Sequence, residues 1–208
     1  MKAFIYTGGA VCTDSITEHP RTDDLRIAAD SGYLTARSLG DRVDVIVGDF
    51  DSMPESEVSE GVETIRVPAE KDDTDTQLAV EIAVSRGADD LVIIGGLGGR
   101  LDHTLSSLYI LEDLALDGIY AIMTDGKNRA RYLRGGSALI GRSGYRYLSV
   151  IAADEKVRGV SIEGCRYPLK NATLVRRRQF AVSNEIEGNC ALISVKKGGI
   201  FIIESSDG

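Results

Sequence analysis

Leu91-Val92-Ile93-Ile94-Gly95-Gly96-Leu97-Gly98-Gly99-Arg100-Leu101-Asp102-His103 opens with four aliphatic residues and passes through a glycine-rich turn. A short aliphatic run without alternation, closed by turn residues, has the length of a strand covered on both faces. Beyond Arg100, residues Leu101, Leu105, Leu108, Leu111 and Ala115 recur at helical spacing as far as Gly118, and Ile119–Met123 is apolar again. Strand, helix and strand in that order predict a crossover into a parallel sheet. The alternation extends toward the N-terminus. Lys2–Thr7, Leu25–Ala29, Val43–Val47 and Val62–Val67 read as strands. A helical stretch follows Leu25–Ala29 and ends near Gly40, and Thr74–Arg86 reads as a helix with Gly87 as its stop.

The period changes near Asp125–Arg131. Beyond it lie short strand candidates at Tyr145–Ala152, Gly159–Glu163, Ala172–Val175, Phe180–Val182, Ala191–Val195 and Ile200–Ile203, separated by Gly, Asn and Pro. That spacing predicts an antiparallel sandwich. The expected fold class is an α/β N-terminal domain with a mainly parallel sheet, residues 1–125, followed by an all-β sandwich C-terminal domain, residues 126–208.

Composition narrows the function classes. The chain has 208 residues, 43% hydrophobic and 27% charged, with a formal net charge of −8. So much apolar material can bury a core and argues against disorder. The acidic balance argues against broad nucleic-acid binding, which needs a basic face. The opening MKAFIYTGGAV does not read as a signal peptide, and no segment approaches the ~20 apolar residues of a membrane span. Cys12, Cys165 and Cys190 are too scattered for a disulfide framework, so a cytoplasmic location is expected. With only His19 and His103 present, a resident metal would be a hard cation held by carboxylates.

Several motifs sit where strands are expected to end. In Gly48-Asp49-Phe50-Asp51-Ser52, Asp49 and Asp51 lie two residues apart, so in extended backbone both point to one side, roughly 7 Å apart. They can hold a divalent ion, or they form an acidic turn. Lys71-Asp72-Asp73-Thr74-Asp75-Thr76-Gln77 opens a helix. Thr74 and Gln77 fit a capping box, yet three carboxylates in four residues exceed what a cap requires. The glycine turn at 95–99 is neither a dinucleotide fingerprint nor a P-loop, because Leu101 occupies the third-glycine position and no Gly-Lys-Ser/Thr follows. Gly98 and Gly99 still let backbone N–H groups approach phosphate at a helix N-terminus. Arg100 can bridge phosphate oxygens and Asp102 can bind metal or accept a proton, or the two simply pair with each other. His103 suits a helix-start hydrogen bond better than catalysis. Asp30 in Ala29-Asp30-Ser31-Gly32 is equally an N-cap or a site residue. Thr7-Gly8-Gly9 is a turn open to phosphate or adenine contact. Arg176-Arg177-Arg178 suits a solvated turn, and Ser183-Asn184-Glu185 by itself suits a hairpin turn.

Asp30, Asp49, Asp51, Asp75, Arg100 and Asp102 all fall at strand-to-helix junctions, which share one edge of a parallel sheet. Five carboxylates gathered there repel unless cations neutralise them. Two Mg²⁺ bridging a polyphosphate would do so, with Arg100 adding charge, which points to nucleotide-dependent transfer.

The order GDFDS, KDDTDTQ, GGLGGRLDHT resembles the thiamine pyrophosphokinase (thiamine diphosphokinase) family, as do ADSG at 29–32, YPLKNATL at 167–174 and VSNE at 182–185. The resemblance implies a catalytic nucleotide-binding domain followed by a thiamine-binding β-sandwich, in a homodimer with thiamine near the subunit interface. It implies Mg²⁺ and transfer of pyrophosphate from ATP to the thiamine hydroxyl, releasing AMP. It implies that Asp49, Asp51 and Asp75 hold Mg²⁺, and that Arg100 and Asp102 meet phosphates, metal or the attacking hydroxyl. It places Asp30, Gly98 and Gly99 by the nucleotide, and Ser183 and Asn184 on the aminopyrimidine. Asp75 or Asp102 would ease loss of the hydroxyl proton. Two departures stand out. Ser31 replaces a family glycine, and the chain lacks the tryptophan that some members place by thiamine, leaving Phe180 and Tyr167 as stacking candidates. Other readings at this point are a pyrophosphokinase for another hydroxymethyl heterocycle such as a pterin, a nucleotide-sugar transferase using the Asp-x-Asp pair, and a non-enzymatic thiamine or nucleotide sensor.

Overall fold

A computed structural model describes residues 1–50, 58–68 and 74–207. The chain divides into two compact units, Met1–Gly126 and Lys127–Gly208.

In the first unit, β1 (Lys2–Tyr6), β2 (Leu25–Ala29), β3 (Val45–Gly48), β4 (Glu63–Arg66), β5 (Asp90–Ile94) and β6 (Tyr120–Thr124) form a parallel sheet. Its spatial order is β6-β5-β1-β2-β3-β4, with every neighbouring pair parallel. The two central strands are apolar throughout because both faces are covered: Ala3–Tyr6 and Leu91–Ile94 are all buried. Helix α1 (Gly32–Ser38) packs on β1 and β2, α2 (Asp75–Ser85) on β1, β2 and β3, and α3 (Leu101–Leu116) on β6. Phe4, Tyr6, Ala28, Tyr33, Ala36, Ile46, Val92 and Ile94 belong to one core cluster. Helix α2 begins where its cap predicts: the Thr74 hydroxyl accepts from the Gln77 N–H at 3.2 Å. Only half of the capping box forms, because the Gln77 amide instead donates to Glu81 at 3.3 Å.

Helix α3 corrects one expectation. Leu101 and Leu105 are exposed, and the helix buries Ser107, Ile110, Leu111 and Leu114. The buried stripe is rotated relative to the leucine spacing because α3 packs mainly on β6.

The second unit is all-β and antiparallel. It consists of β7 (Asn128–Gly141), β8 (Tyr147–Ala152), β9 (Lys156–Glu163), β10 (Leu169–Val175) and β11 (Cys190–Ser205). Strand β11 pairs with β7 along nearly its whole length, with β9 over Leu192–Lys197 and with β8 over Ile200–Ser205. The change of partner falls at a register shift between Val195 and Gly199. Gly199 is required there, since a Cβ would overlap the Tyr132 hydroxyl. Folding over at this point lets Ile140, Val150, Val157, Val160, Ile162, Leu174, Ile193 and Ile202 share one core.

Three sequence expectations change in this unit. Ala191–Val195 and Ile200–Ile203 are one strand bent at the bulge. Phe180–Val182 is not a strand but a connection with Phe180 and Val182 exposed and Ala181 buried, held where the Val150 N–H donates to the Ala181 carbonyl at 2.7 Å. The long β7 was not expected at all. Its arginines and Gly135-Gly136 hide the pattern, and its strand character comes from pairing with β11.

Candidate functional site

The carboxyl edge of the parallel sheet opens into a cavity of about 480 Å³, lined by the turns after β1, β2, β3 and β5 and by the first turn of α2. Asp30, Asp49, Asp75, Gly98, Gly99 and Arg100 all line it. The parallel topology is the cause, because every strand-to-helix turn leaves the sheet on the same edge. Asp102 is not among the lining residues. Asp51, with Lys71, Asp72 and Asp73, lies outside the described residues.

Asp30 has the most constrained geometry. Its N–H donates to the Val47 carbonyl at 2.8 Å, extending the β2–β3 ladder by one residue. Its backbone then turns into the left-handed region, φ 45°, to enter α1. Aspartate tolerates that region better than most residues, and a strained non-glycine residue at a strand end is a recurrent mark of a functional site. The helix cap falls one residue later, at Ser31, whose side chain makes no capping bond. Asp30 is therefore not an N-cap. It is 9% exposed, and its Oδ1 is buried without a hydrogen-bond partner among the described residues. An unpaired buried carboxylate oxygen is costly unless a cation or donor meets it. Without divalent cation, Asp30→Asn is therefore expected to raise Tm by about 2–4 °C, the effect of ~1 kcal/mol in a chain of this size. A calorimetric scan checks this, and an unchanged or lower Tm would mean that solvent already satisfies Asp30.

Arg100 and Asp102 pair with each other. Arg100 Nη2 donates to Asp102 Oδ2 at 2.6 Å and Nε donates to Oδ1 at 3.2 Å. Both side chains are largely exposed. The Arg100 hydrogen bonds, helped by the His103 N–H, hold the Asp102 carboxyl down at about 2. So weak a base is ill-suited to take a hydroxyl proton while the pair persists. The arrangement can change when phosphate offers Arg100 a better partner.

Carboxylates from Asp30, Asp49 and Asp75 form a donor set suited to a hard cation. Among the described residues, no three His, Cys, Asp or Glu side chains converge closely enough to enclose an ion by themselves. A cation here would take its remaining ligands from substrate phosphate and water, as Mg²⁺ commonly does.

Ser183 and Asn184 belong to the second unit. Ser183 is exposed, at φ 56°, with its N–H donating to Ser149 Oγ at 3.0 Å. Asn184 is buried and ties two loops together. Its Oδ1 accepts from the N–H groups of Tyr167 at 2.9 Å and Glu185 at 3.0 Å, and its Nδ2 donates to the Tyr167 carbonyl at 2.8 Å. Asn184 also borders an apolar hollow of about 110 Å³ lined by Ile162, Tyr167, Leu169, Phe180 and Val182. The structure thus gives the Asn184 side chain a positioning task. Sequence reasoning missed Ser31, Thr74, Thr76 and Ser107 as cavity residues. Ser31, Thr74 and Thr76 share a small hydroxyl beside a strand-to-helix junction, too frequent in sequences to single out, and Ser107 lies within α3 with no such signal.

Comparison with known proteins gives consistent relatives for both units. Residues 17–123 match the family described as thiamin pyrophosphokinase, catalytic domain, and residues 139–200 match thiamin pyrophosphokinase, vitamin B1 binding domain. The chain is 29% identical over 197 residues to thiamine pyrophosphokinase of Bacillus subtilis, covering 92% of each chain. Its fold is similar to a crystal structure of thiamine pyrophosphokinase from Bacillus subtilis, with TM-score 0.89, 26% identity and 100% of both chains covered. It is similar also to that of a thiamin pyrophosphokinase family protein from Enterococcus faecalis, with TM-score 0.87, 30% identity and full coverage of both.

Proposed function

The chain belongs to the thiamin pyrophosphokinase family and is a diphosphotransferase, and we propose how its residues divide that work. The reaction is transfer of pyrophosphate from ATP to the hydroxyl of thiamine. The hydroxyl oxygen bonds to the β-phosphorus, and the bond from that phosphorus to the oxygen bridging the α-phosphorus breaks. AMP leaves with the electron pair, and the hydroxyl proton is lost. Such attack needs positioning and charge neutralisation more than covalent help from the protein.

The first unit is the catalytic, nucleotide-binding part. The observation that carries this is the cavity at the carboxyl edge, where three carboxylates face a glycine turn and Arg100. Asp49 and Asp75, with Asp51, would hold Mg²⁺, and the buried unpartnered Oδ1 of Asp30 adds a further oxygen toward the same charge. When bound, the ion neutralises phosphate charge and aligns the β-phosphorus. Gly98 and Gly99 bring backbone N–H groups near phosphate. Arg100 leaves Asp102 for the phosphoryl oxygens, which frees the Asp102 carboxylate to approach the attacking hydroxyl. Asp75 is the other group suited to ease proton loss.

The second unit binds thiamine. Phe180 and Tyr167 border the apolar hollow and supply the flat surface a pyrimidine needs, in a chain without tryptophan. Asn184 sets the Tyr167 backbone, and the exposed Ser183 hydroxyl meets the aminopyrimidine. A homodimer completes the reading. Leu101, Leu105, Tyr109 and Leu116 form an exposed apolar strip along α3, the kind of surface that association covers. A cytoplasmic location accords with free cysteines and with the absence, among the described residues, of a helix long and apolar enough to cross a membrane.

The test is AMP release from ATP and Mg²⁺, with and without thiamine. Thiamine-dependent AMP with thiamine diphosphate as co-product is expected. AMP with a pterin but not with thiamine would keep the catalytic unit and reject the acceptor. Arg100→Ala should lower kcat about 10²–10³-fold, the usual effect of losing one contact to developing charge. Its Tm should stay close to wild type, because the Arg100–Asp102 pair is exposed. Near-normal kcat would leave Arg100 as a surface ion pair only.

A further inference from the structure

Phe50 stands in the left-handed region of backbone space, with φ +61°. The other non-glycine residues there, among those described, are Asp30, Asn171 and Ser183, all small and polar. Aspartate and asparagine tolerate that region, whereas a bulky side chain is an outlier that its surroundings must hold in place. The chain is thus not extended across this motif, as its spacing suggests, but turns at Phe50. The turn divides two neighbours. Asp49 lines the carboxyl-edge cavity, and Phe50 packs against the core cluster that contains Tyr33, Val43 and Ile46. A glycine would adopt the same φ without strain but would also leave it readily. An anchored ring gives up that freedom for one fixed turn.

Arg66 supplies an independent observation. It closes β4 and stands opposite Gly48 in the β3–β4 ladder, which runs on where the Val67 N–H donates to the Gly48 carbonyl at 3.1 Å. Its guanidinium carbon lies 5.1 Å from the centroid of the Phe50 ring, within the range of a cation–π contact. The ring is therefore held from two directions, by the core cluster and by the guanidinium. Gly48 is fixed toward β2 as well, since a Cβ there would lie 3.0 Å from Asp30 Cβ. Arg66 is exposed, so burial does not force it onto the ring. Neither Arg66 nor Phe50 is among the residues lining the cavity. A cation beside the turn that carries Asp49 would, by charge alone, oppose a bound metal ion. The stack on Phe50 supplies a reason for its presence.

Resting on the metal reading above, we propose that Arg66 and Phe50 are a positioning pair for that site. The guanidinium laid on the ring holds Phe50 in its left-handed turn and so keeps the Asp49 carboxylate directed into the cavity. Arg66 then acts on the metal only through Phe50 and Asp49.

Mn²⁺ suits the same oxygen ligands as Mg²⁺, and the electron paramagnetic resonance signal of the free ion measures how much of it the full chain binds. Arg66→Met keeps a long apolar stem and changes an exposed position, so it should fold with Tm close to wild type. It is expected to weaken Mn²⁺ binding about 2- to 5-fold, the effect of one exposed cation–π contact. Charge alone predicts the opposite sign, because removing a cation should tighten a cation site. Phe50→Leu should weaken Mn²⁺ at least as much, and Phe50→Tyr, which keeps the ring, should stay within about 2-fold of wild type. The double variant of Arg66→Met with Phe50→Leu should bind no more weakly than Phe50→Leu alone, because the guanidinium has no ring left to hold. Should Phe50→Leu fail to fold, Arg66→Met decides alone. Unchanged or tighter Mn²⁺ binding in Arg66→Met, or losses that add in the double variant, would overturn the pair and leave the metal reading intact. Wild type that binds no Mn²⁺ would overturn the metal reading and this inference with it.

Discussion

Asp75→Asn should lower kcat about 10²–10³-fold while leaving the protein folded. Asp75 is the first residue of α2 and lines the cavity with Asp30 and Asp49. Asparagine keeps the shape and removes one negative charge from the place where the metal-bound polyphosphate is proposed to sit. The loss therefore falls on charge neutralisation in the transition state, more than on ground-state packing. Stability should move little, because two effects oppose. An acidic residue at a helix N-terminus contributes about 0.3–1 kcal/mol, whereas removing one carboxylate relieves repulsion among the three. The Thr74 cap on the Gln77 N–H is untouched by the change. Measured against Mg²⁺ concentration, the defect should be deepest at limiting metal and partly recover as metal rises. Wild-type kcat at limiting Mg²⁺ would remove Asp75 from the metal site.

Glu204→Ala should destabilise the protein by about 3–5 kcal/mol, the usual effect of removing one partner of a buried ion pair. Glu204 on β11 is 2% exposed. It accepts from Arg129 Nε and Nη2, each at 2.8 Å, from Arg131 Nη2 at 2.6 Å and from Ser143 Oγ at 3.0 Å. Both arginines are themselves largely buried. Arg129 stands directly opposite Glu204 in the β7–β11 ladder and also lies over the Tyr145 ring at 4.9 Å. Alanine would leave two guanidinium groups in a poorly solvated place without their shared carboxylate. Glu204→Gln keeps the volume and an acceptor, so it should cost less than alanine. Urea denaturation of the three proteins orders them. Stability of Glu204→Ala within ~1 kcal/mol of wild type would mean that water replaces the carboxylate, and that the cluster acts as a surface ion pair.

These two residues differ in how visible they are in the sequence. Asp75 sits in an acidic run that opens a helix after a strand, and a parallel sheet must place such a junction on its carboxyl edge. The same logic reaches Asp30, Asp49, Gly98, Gly99 and Arg100, because each needs only strand order and local spacing. Glu204 and Arg129 are 75 residues apart, and nothing local in either segment announces the other. Ser107 was hidden for a different reason. The leucines of α3 suggested a buried stripe starting at Leu101, and the packing against β6 turned the helix so that Ser107 faces inward. Asn184 stood in a motif with a functional resemblance, yet its amide is occupied by the Tyr167 and Glu185 backbone.

The sequence by itself determined the alternation of strands and helices in the first unit, the all-β character of the second, and the presence of acidic and glycine-rich turns at the junctions. Those features follow from residue periodicity and turn chemistry, which act over a few neighbours. Tertiary structure alone decided that β7 is a strand, that two short runs join as β11, and that Asp30 turns left-handed with an unpartnered oxygen. Each depends on which distant segment supplies the hydrogen bonds and excludes the water, and that is set only when the chain has closed on itself.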